Sequence, residues 1–245
     1  MNQQSKLPRV LWLFWSQGAK QAPMVVKKCL RSWIDKNPSW RIVLLDRKKI
    51  GQYIKVHSLC KEPTHIRMAH QSDLMRLQLL YKYGGVWADA TSFCVKPLDE
   101  WIDEATQSGF FAFSRPAADR IISNWFLSSH ENNPITGRLL KLLIKYFQAN
   151  KEYPYFIFHQ IYEQLIKDNK QAAAIWAKTP KISAVPPHLL FHAGLLNPID
   201  DQLKSLVKTS DSPVFKLSWK FDESLYNEHC VLHYLFQEFE NKGQP

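Results

Sequence analysis

Gln71-Ser-Asp-Leu-Met-Arg-Leu-Gln-Leu-Leu-Tyr-Lys-Tyr-Gly-Gly-Val-Trp-Ala-Asp-Ala-Thr91 decides how the rest of the chain is read. Leu74, Leu77, Leu80 and Tyr81 recur at three- and four-residue spacing, which predicts a helix over 72–82 with one apolar face and Ser72 or Asp73 as its N-cap. Asp73 and Arg76 then stand one turn apart at the helix opening. Gly84-Gly85 ends the helix, because a left-handed cap followed by a sharp redirection suits residues without a β-carbon. Val86-Trp87-Ala88 reads as a short buried strand that delivers Asp89 to its carboxyl end, the edge at which open α/β sheets bind ligands. Taken singly, Asp73 and Arg76 are an ordinary surface pair and Asp89 an ordinary turn residue. Jointly they point to a ligand site.

The surrounding chain supports a sheet of the same kind. Pro8 to Trp15, uninterruptedly apolar from Val10, closes on Ser16-Gln17-Gly18, as a buried parallel strand does. Pro23 opens a helix to about Asp35, with Val26, Leu30 and Trp33 or Ile34 as its stripe. Arg41 to Leu45 is a second strand, and Asp46 caps a helix over Lys48 to Tyr53. Strand, helix, strand, helix implies parallel pairing. Residues 57–70 read as a loop into the central helix. Further on, Ser92 to Val95 is a strand, and Pro97 to Trp101 opens a helix with acid in its first turn. Phe110 to Phe113 is a strand broken by Ser114-Arg115-Pro116, and Ser123 to Ser129 adds an edge to the sheet. Pro134 to Asn150 is a helix. Helices over Tyr155–Lys167, Ala172–Lys178 and Leu225 or Val231 to Phe239 make the last hundred residues mainly helical. The expectation is one α/β domain over 1–245, with a binding core at about 8–130 and a helical acceptor-side and closing region at about 131–245.

Among 245 residues, 45% are hydrophobic, enough for a sizeable core. The formal charge of +10 admits nucleic acid, anionic lipid or a diphosphate-bearing substrate as partner. No zinc-finger pattern, basic heptad arm or RNP-like aromatic motif accompanies it, so nucleic acid is not expected. Cys29, Cys60, Cys94 and Cys230 show no paired spacing, which points to reduced cysteines without zinc. No signal core or membrane-length apolar run is present, and the expected location is the cytoplasm, with contact to an anionic inner membrane face where the acceptor is lipid-linked. His159 is either an acceptor-side base or a structural residue of an aromatic helix face. His229 and His233 have metal-ligand spacing without the glutamate of a zincin.

The pattern Ser72-Asp73-x-x-Arg76, then Tyr81-x-Tyr83-Gly84-Gly85-x-Trp87-x-Asp89, resembles the donor-site signature of the DXD-containing sugar-transferases (glycosyltransferase family 32-like, GT-A), and most closely their bacterial capsular polysaccharide synthesis branch. That resemblance implies a GT-A-like, mixed and mostly parallel sheet flanked by helices, and transfer of a hexose from a nucleotide-sugar donor to a glycan or lipid-linked saccharide in capsule, lipopolysaccharide or other surface polysaccharide assembly, with anomeric retention. It assigns Trp15 to stacking on the nucleobase, Asp73 and Arg76 to donor-sugar hydroxyls, and Asp89 to the ribose and to a divalent ion on the diphosphate. Ser218-Trp219 with Lys220 is similar to the family's donor-closing loop, and Lys216 or Lys220 offers an organic cation to the diphosphate. The family's second Asp is here Thr91, a weaker ligand for Mn²⁺ or Mg²⁺, so metal use stays open. A nucleotide-sugar or glycan binding protein without transferase activity is the alternative.

Overall fold

The computed structural model describes residues 6–55 and 66–240. Cys60 and most of the expected loop at 57–70 lie outside the described residues. In chain order the elements are β1 (Val10–Phe14), α1 (Met24–Lys36), β2 (Arg41–Leu45), α2 (Met68–Tyr83), β3 (Gly85–Ala88), β4 (Ser92–Cys94) and α3 (Ile102–Ala105). There follow β5 (Phe110–Ala117), β6 (Arg120–Ser129), α4 (Pro134–Ala149), α5 (Ile157–Asp168), α6 (Lys170–Lys178), α7 (Leu189–Ala193), α8 (Asp201–Thr209), β7 (Val214–Lys216) and α9 (Val231–Glu240).

The main sheet has the order β2-β1-β3-β6-β5. β1 is parallel to β2 and β3, while β6 is antiparallel to both β3 and β5. Four of its five strands therefore run in one direction, the mixed and mostly parallel arrangement expected. Alternation along β1 sorts side chains to two faces: Trp12 and Phe14 pack with Trp87 under α2, α4, α5 and α6, whereas Leu11 and Leu13 pack with Val86, Ala88 and Trp33. Trp12 is core, as its apolar setting suggests, and its indole N–H donates to Gly84 O at 3.0 Å.

The central helix departs from the expected boundary. α2 starts at Met68 with Arg67 at its N-cap, so Ser72 does not cap it and Asp73 lies in the second turn. Ser72 Oγ instead donates back to Met68 O at 3.1 Å. Nor is only one face apolar-buried, since His70, Asp73, Leu74, Met75, Arg76, Leu77, Leu79 and Leu80 are all buried between the sheet and α4. The helix stops on Gly84 (φ 63°), and Gly85 (φ 88°) turns the chain directly into β3. A β-carbon at Gly85 would lie 2.4 Å from Val10 O, so only glycine lets β3 approach β1 there.

Other differences follow from tertiary contacts. β5 continues through Ser114-Arg115-Pro116 because Ser114, opposite Ile122 of β6 after a register shift, also bonds residues 182–184, with Ser114 N to Ile182 O at 2.8 Å and Ala184 N to Ser114 O at 2.8 Å. Pro116 is tolerated because β5 is an edge strand. β6 in turn is interior, not an edge. Asp46 accepts from Lys48 N and Lys49 N but leads only to a 3-10 turn at Ile50–Gln52. After Pro97 the chain makes a 3-10 turn (Leu98–Glu100) before the single turn of α3. A second sheet pairs β4 antiparallel to β7, Ser92 opposite Lys216. β7, α7 and α8 have no counterpart in the sequence reading. Cys29, Cys94 and Cys230 are free and buried.

Candidate active site

A cleft of about 560 Å³ opens at the carboxyl ends of β1 and β3. The sheet forms its floor, α5 and α7 one wall, and the segment after β7 the other. It gathers every residue expected from the sequence: Trp15, Asp73, Arg76, Asp89, Thr91, Trp219 and Lys220.

Arg76 holds the centre. Its Nη1 donates to Asp73 Oδ1, and its Nη2 lies 3.2 Å from Asp89 Oδ1. The guanidinium also sits over the Trp87 ring, 5.2 Å from the centroid. Asp73 and Arg76 side chains are each 5% exposed, whereas Asp89 is 32% exposed. The acid just past β3 thus faces the cleft, while the pair on α2 lies at its bottom. Trp87 and Asp89, two positions apart, share the face toward α2, and Trp87 Nε1 lies 3.2 Å from Asp89 Oδ1. Backbone pairing fixes Asp89 in place, its N–H donating to Trp125 O at 2.8 Å and its carbonyl accepting from Ser92 N at 2.9 Å. Burial pushes the Asp73 carboxyl up to about 6, against the pull of Arg76 and of Asn124, whose Nδ2 donates to Asp73 Oδ1 at 2.9 Å.

Asn124 is a residue that the sequence reading missed. Its signal was a lone amide in the apolar strand Ile121 to Leu127, where asparagine is disfavoured unless it has a partner.

Trp15 follows β1 and is half-buried. Its ring meets Trp219 edge to face at 5.5 Å, and Trp219 is 47% exposed, so an indole pair brackets this end of the cleft. Trp15 Nε1 and Ser123 Oγ are buried without a partner among the described residues. Lys220 is exposed at the rim. The opposite wall carries Tyr155, Phe156, His159, His188, Phe191 and His192. Burial, together with Arg120 and Arg76, pushes His159 down to about 4, which leaves the imidazole neutral near pH 7. His229 is exposed beside Glu228 and His233 Nδ1 meets Tyr226 OH at 3.1 Å, so the two do not converge.

Lys216 comes from β7. Its Nζ donates to Thr91 Oγ1 at 2.7 Å and to Leu217 O at 3.0 Å, and lies 3.9 Å from Asp89 Oδ2. Burial draws the Lys216 pKa down while Asp89 raises it. A divalent cation prefers several hard, anionic oxygens. Here one carboxylate is already flanked by two cations and the Thr91 hydroxyl is engaged by an ammonium. Among the described residues no group of three or more His, Cys, Asp or Glu side chains converges on one point. The residues present fit a divalent ion poorly.

A carboxylate at the end of an inner strand, an acid and a base on the preceding helix and a mixed sheet over which the cleft opens define a GT-A-like protein, the fold of glycosyltransferases. The solved structure named PaToxG Glycosyltransferase shares it, with a TM-score of 0.50 at 16% identity over 83% of this chain and 84% of that one. Residues 1–235 match the family described as capsular polysaccharide synthesis protein, and the chain belongs to that family. The chain is 26% identical over 177 residues to the O-glycosyltransferase braB of Annulohypoxylon truncatum, 63% of this chain and 41% of that protein. It is also 26% identical over 108 residues to the initiation-specific alpha-1,6-mannosyltransferase of Candida albicans, 40% of this chain and 28% of that protein. It therefore spans less than half the length of these curated relatives.

Proposed function

We propose that this protein is a glycosyltransferase that moves a sugar, a hexose in our reading, from a nucleotide-sugar donor to a saccharide or lipid-linked saccharide during bacterial capsule or other surface polysaccharide assembly. The observation that carries the proposal is the convergence of Asp73, Arg76 and Asp89 at one strand end inside an open cleft.

Each group has a chemical task. Asp73, an acceptor, and Arg76, a fixed fork of donors, suit the hydroxyls of the donor sugar. Asp89, half out of the floor, suits a ribose. Trp15 offers a flat apolar face to a base, and Trp219 with Lys220 would close over it. The aromatic wall from Tyr155 to His192 suits the apolar face of an acceptor sugar. Among the described residues the only acids lining the cleft, Asp73 and Asp89, are both tied to Arg76. This supports a retaining, same-face transfer: the bond from the anomeric carbon to phosphate breaks, the bond to the acceptor oxygen forms, and the acceptor's proton passes to the departing diphosphate. Among the described residues no helix is long and apolar enough to cross a membrane. In our reading the protein works in the cytoplasm, its positive charge drawing it to an anionic inner membrane face.

A panel of nucleotide sugars tests the proposal. At a ligand concentration a hundredfold above Kd, a true donor should stabilise the protein by about 2.7 kcal/mol, a Tm rise of roughly 5–10 °C for a chain of this size. Asp89→Asn should lower turnover by about a hundredfold or more. Wild-type protein that shifts with no member of the panel would sink the reading, and binding without turnover on any acceptor would favour the binding-protein alternative.

A further inference from the structure

Lys216 holds a position that its own fold does not require. Its side chain is 18% exposed and reaches the cleft beside Asp89, although most lysines keep their ammonium in water. An ammonium has three donors. Two are used, on Thr91 Oγ1 and Leu217 O, and the carboxylate 3.9 Å away is beyond hydrogen-bond distance. The third donor is left for something that enters the cleft.

Charge says what that is. A divalent cation between two carboxylates and an ammonium beside one carboxylate carry the same net charge, zero. Among the described residues Asp89 is the one acid at this spot, Arg76 is committed to Asp73 and Asp89, and Thr91 already accepts from Lys216. An ion placed here would have to displace the ammonium from Thr91 and then stand close to two fixed positive charges. A diphosphate would meet no such obstacle, since its oxygens accept hydrogen bonds from an ammonium directly.

We propose that Lys216 is the diphosphate-binding cation of this site, and that the protein engages its donor without a divalent metal. The inference rests on the nucleotide-sugar reading for its ligand, but concerns which charge meets the diphosphate. Thr91 orients the ammonium, and Lys220, exposed at the rim, adds a second positive charge.

Calorimetry on EDTA-stripped protein tests this, with uridine diphosphate, guanosine diphosphate and inorganic pyrophosphate as probes. At least one should bind with affinity unchanged within about twofold on adding Mn²⁺. Lys216→Met should weaken that metal-free binding by about tenfold or more, the loss of a charge-assisted hydrogen bond, and Lys216→Arg should keep most of it. Electron paramagnetic resonance of Mn²⁺ supplies a readout free of nucleotide: wild-type protein should leave the free-ion signal intact, while the double variant Thr91→Asp/Lys216→Met should quench it. Near-ultraviolet circular dichroism confirms that each variant is folded. Binding that EDTA abolishes and Mn²⁺ restores, undiminished affinity in folded Lys216→Met, or no diphosphate binding at all would overturn the proposal. Metal-free diphosphate binding without sugar transfer would uphold it and sink the transferase reading. Sugar transfer that needs Mn²⁺ would do the reverse.

Discussion

Asp73 sits 3% exposed, with an arginine and an amide on one oxygen, and burial still outweighs both in holding its carboxyl up to about 6. Its folded value lies above the ordinary 3.8, so the stability it contributes is present below about 3.8 and lost as pH rises through about 6. The ligand-free fold carries a cost at neutral pH that a hydroxyl-bearing ligand would relieve. Binding runs the other way: as pH falls through about 6 the carboxylate takes up its proton and ceases to be a full acceptor. Nucleotide-sugar affinity should therefore weaken below pH 6 in the wild type, and Asp73→Asn should bind weakly with that limb flattened. Titration of Kd between pH 5 and 8 distinguishes the two. This residue and its partners Arg76 and Asp89 were legible in the sequence because they occupy fixed intervals within one helix-turn-strand unit. Asn124 and the Lys216 contact were not, because each meets its partner across a distance in the chain, 51 residues for Asn124 and 125 for Lys216.

α4 packs on α2 through a glycine. Inside a helix, glycine costs about 1 kcal/mol relative to alanine, so a Gly137→Ala change would ordinarily stabilise. Here the added carbon would fall 2.5 Å from Tyr81 Cε2. The expected outcome is a loss of about 1–3 kcal/mol, read as a lower urea midpoint at unchanged slope. Gly85→Ala should lose about 3 kcal/mol, since it adds a strained φ of 88° to a backbone clash with Val10 O. Strands β1, β2 and β3 and helices α1, α2 and α4 were visible in advance, because a continuous apolar run or an apolar stripe survives in a single segment. α8 was not, because Val207 is its only buried residue. β7 is three residues long and exists only because β4 offers it a ladder. The extension of β5 draws in the same way on distant partners, β6 on one side and residues 182–184 on the other.

Three histidines sit where the helical half closes on the sheet. His70 faces Tyr155, with Nε2 3.1 Å from its carbonyl oxygen, His159 lines the cleft, and His188 has Nδ1 2.7 Å from Ala184 O. Burial lowers all three below the ordinary 6.5, His159 to about 4. A histidine depressed in the fold binds its proton first in the unfolded chain, so its stabilising contribution is present above pH 6.5 and lost as pH falls toward its folded value. Against the gain that Asp73 makes below pH 6, these histidines should cost the protein stability between about pH 6.5 and 4, and His159→Gln should move the acid unfolding midpoint to lower pH. Circular dichroism during acid titration checks both, and an unchanged midpoint in the variant would contradict the account.

Among the described residues three hydrophobic clusters hold the fold together, one on each face of the main sheet and a third under β4, β7 and α9. The sequence alone determined the class of fold, the strand that ends on Asp89 and the helix that brings Asp73 and Arg76 to it, because each is written in a local period and a fixed spacing. Tertiary structure alone decided how far Asp73 is buried, which wall the aromatic residues form and where the Lys216 charge falls. Those depend on which distant segments the closing of the core brings together, and no local pattern encodes that.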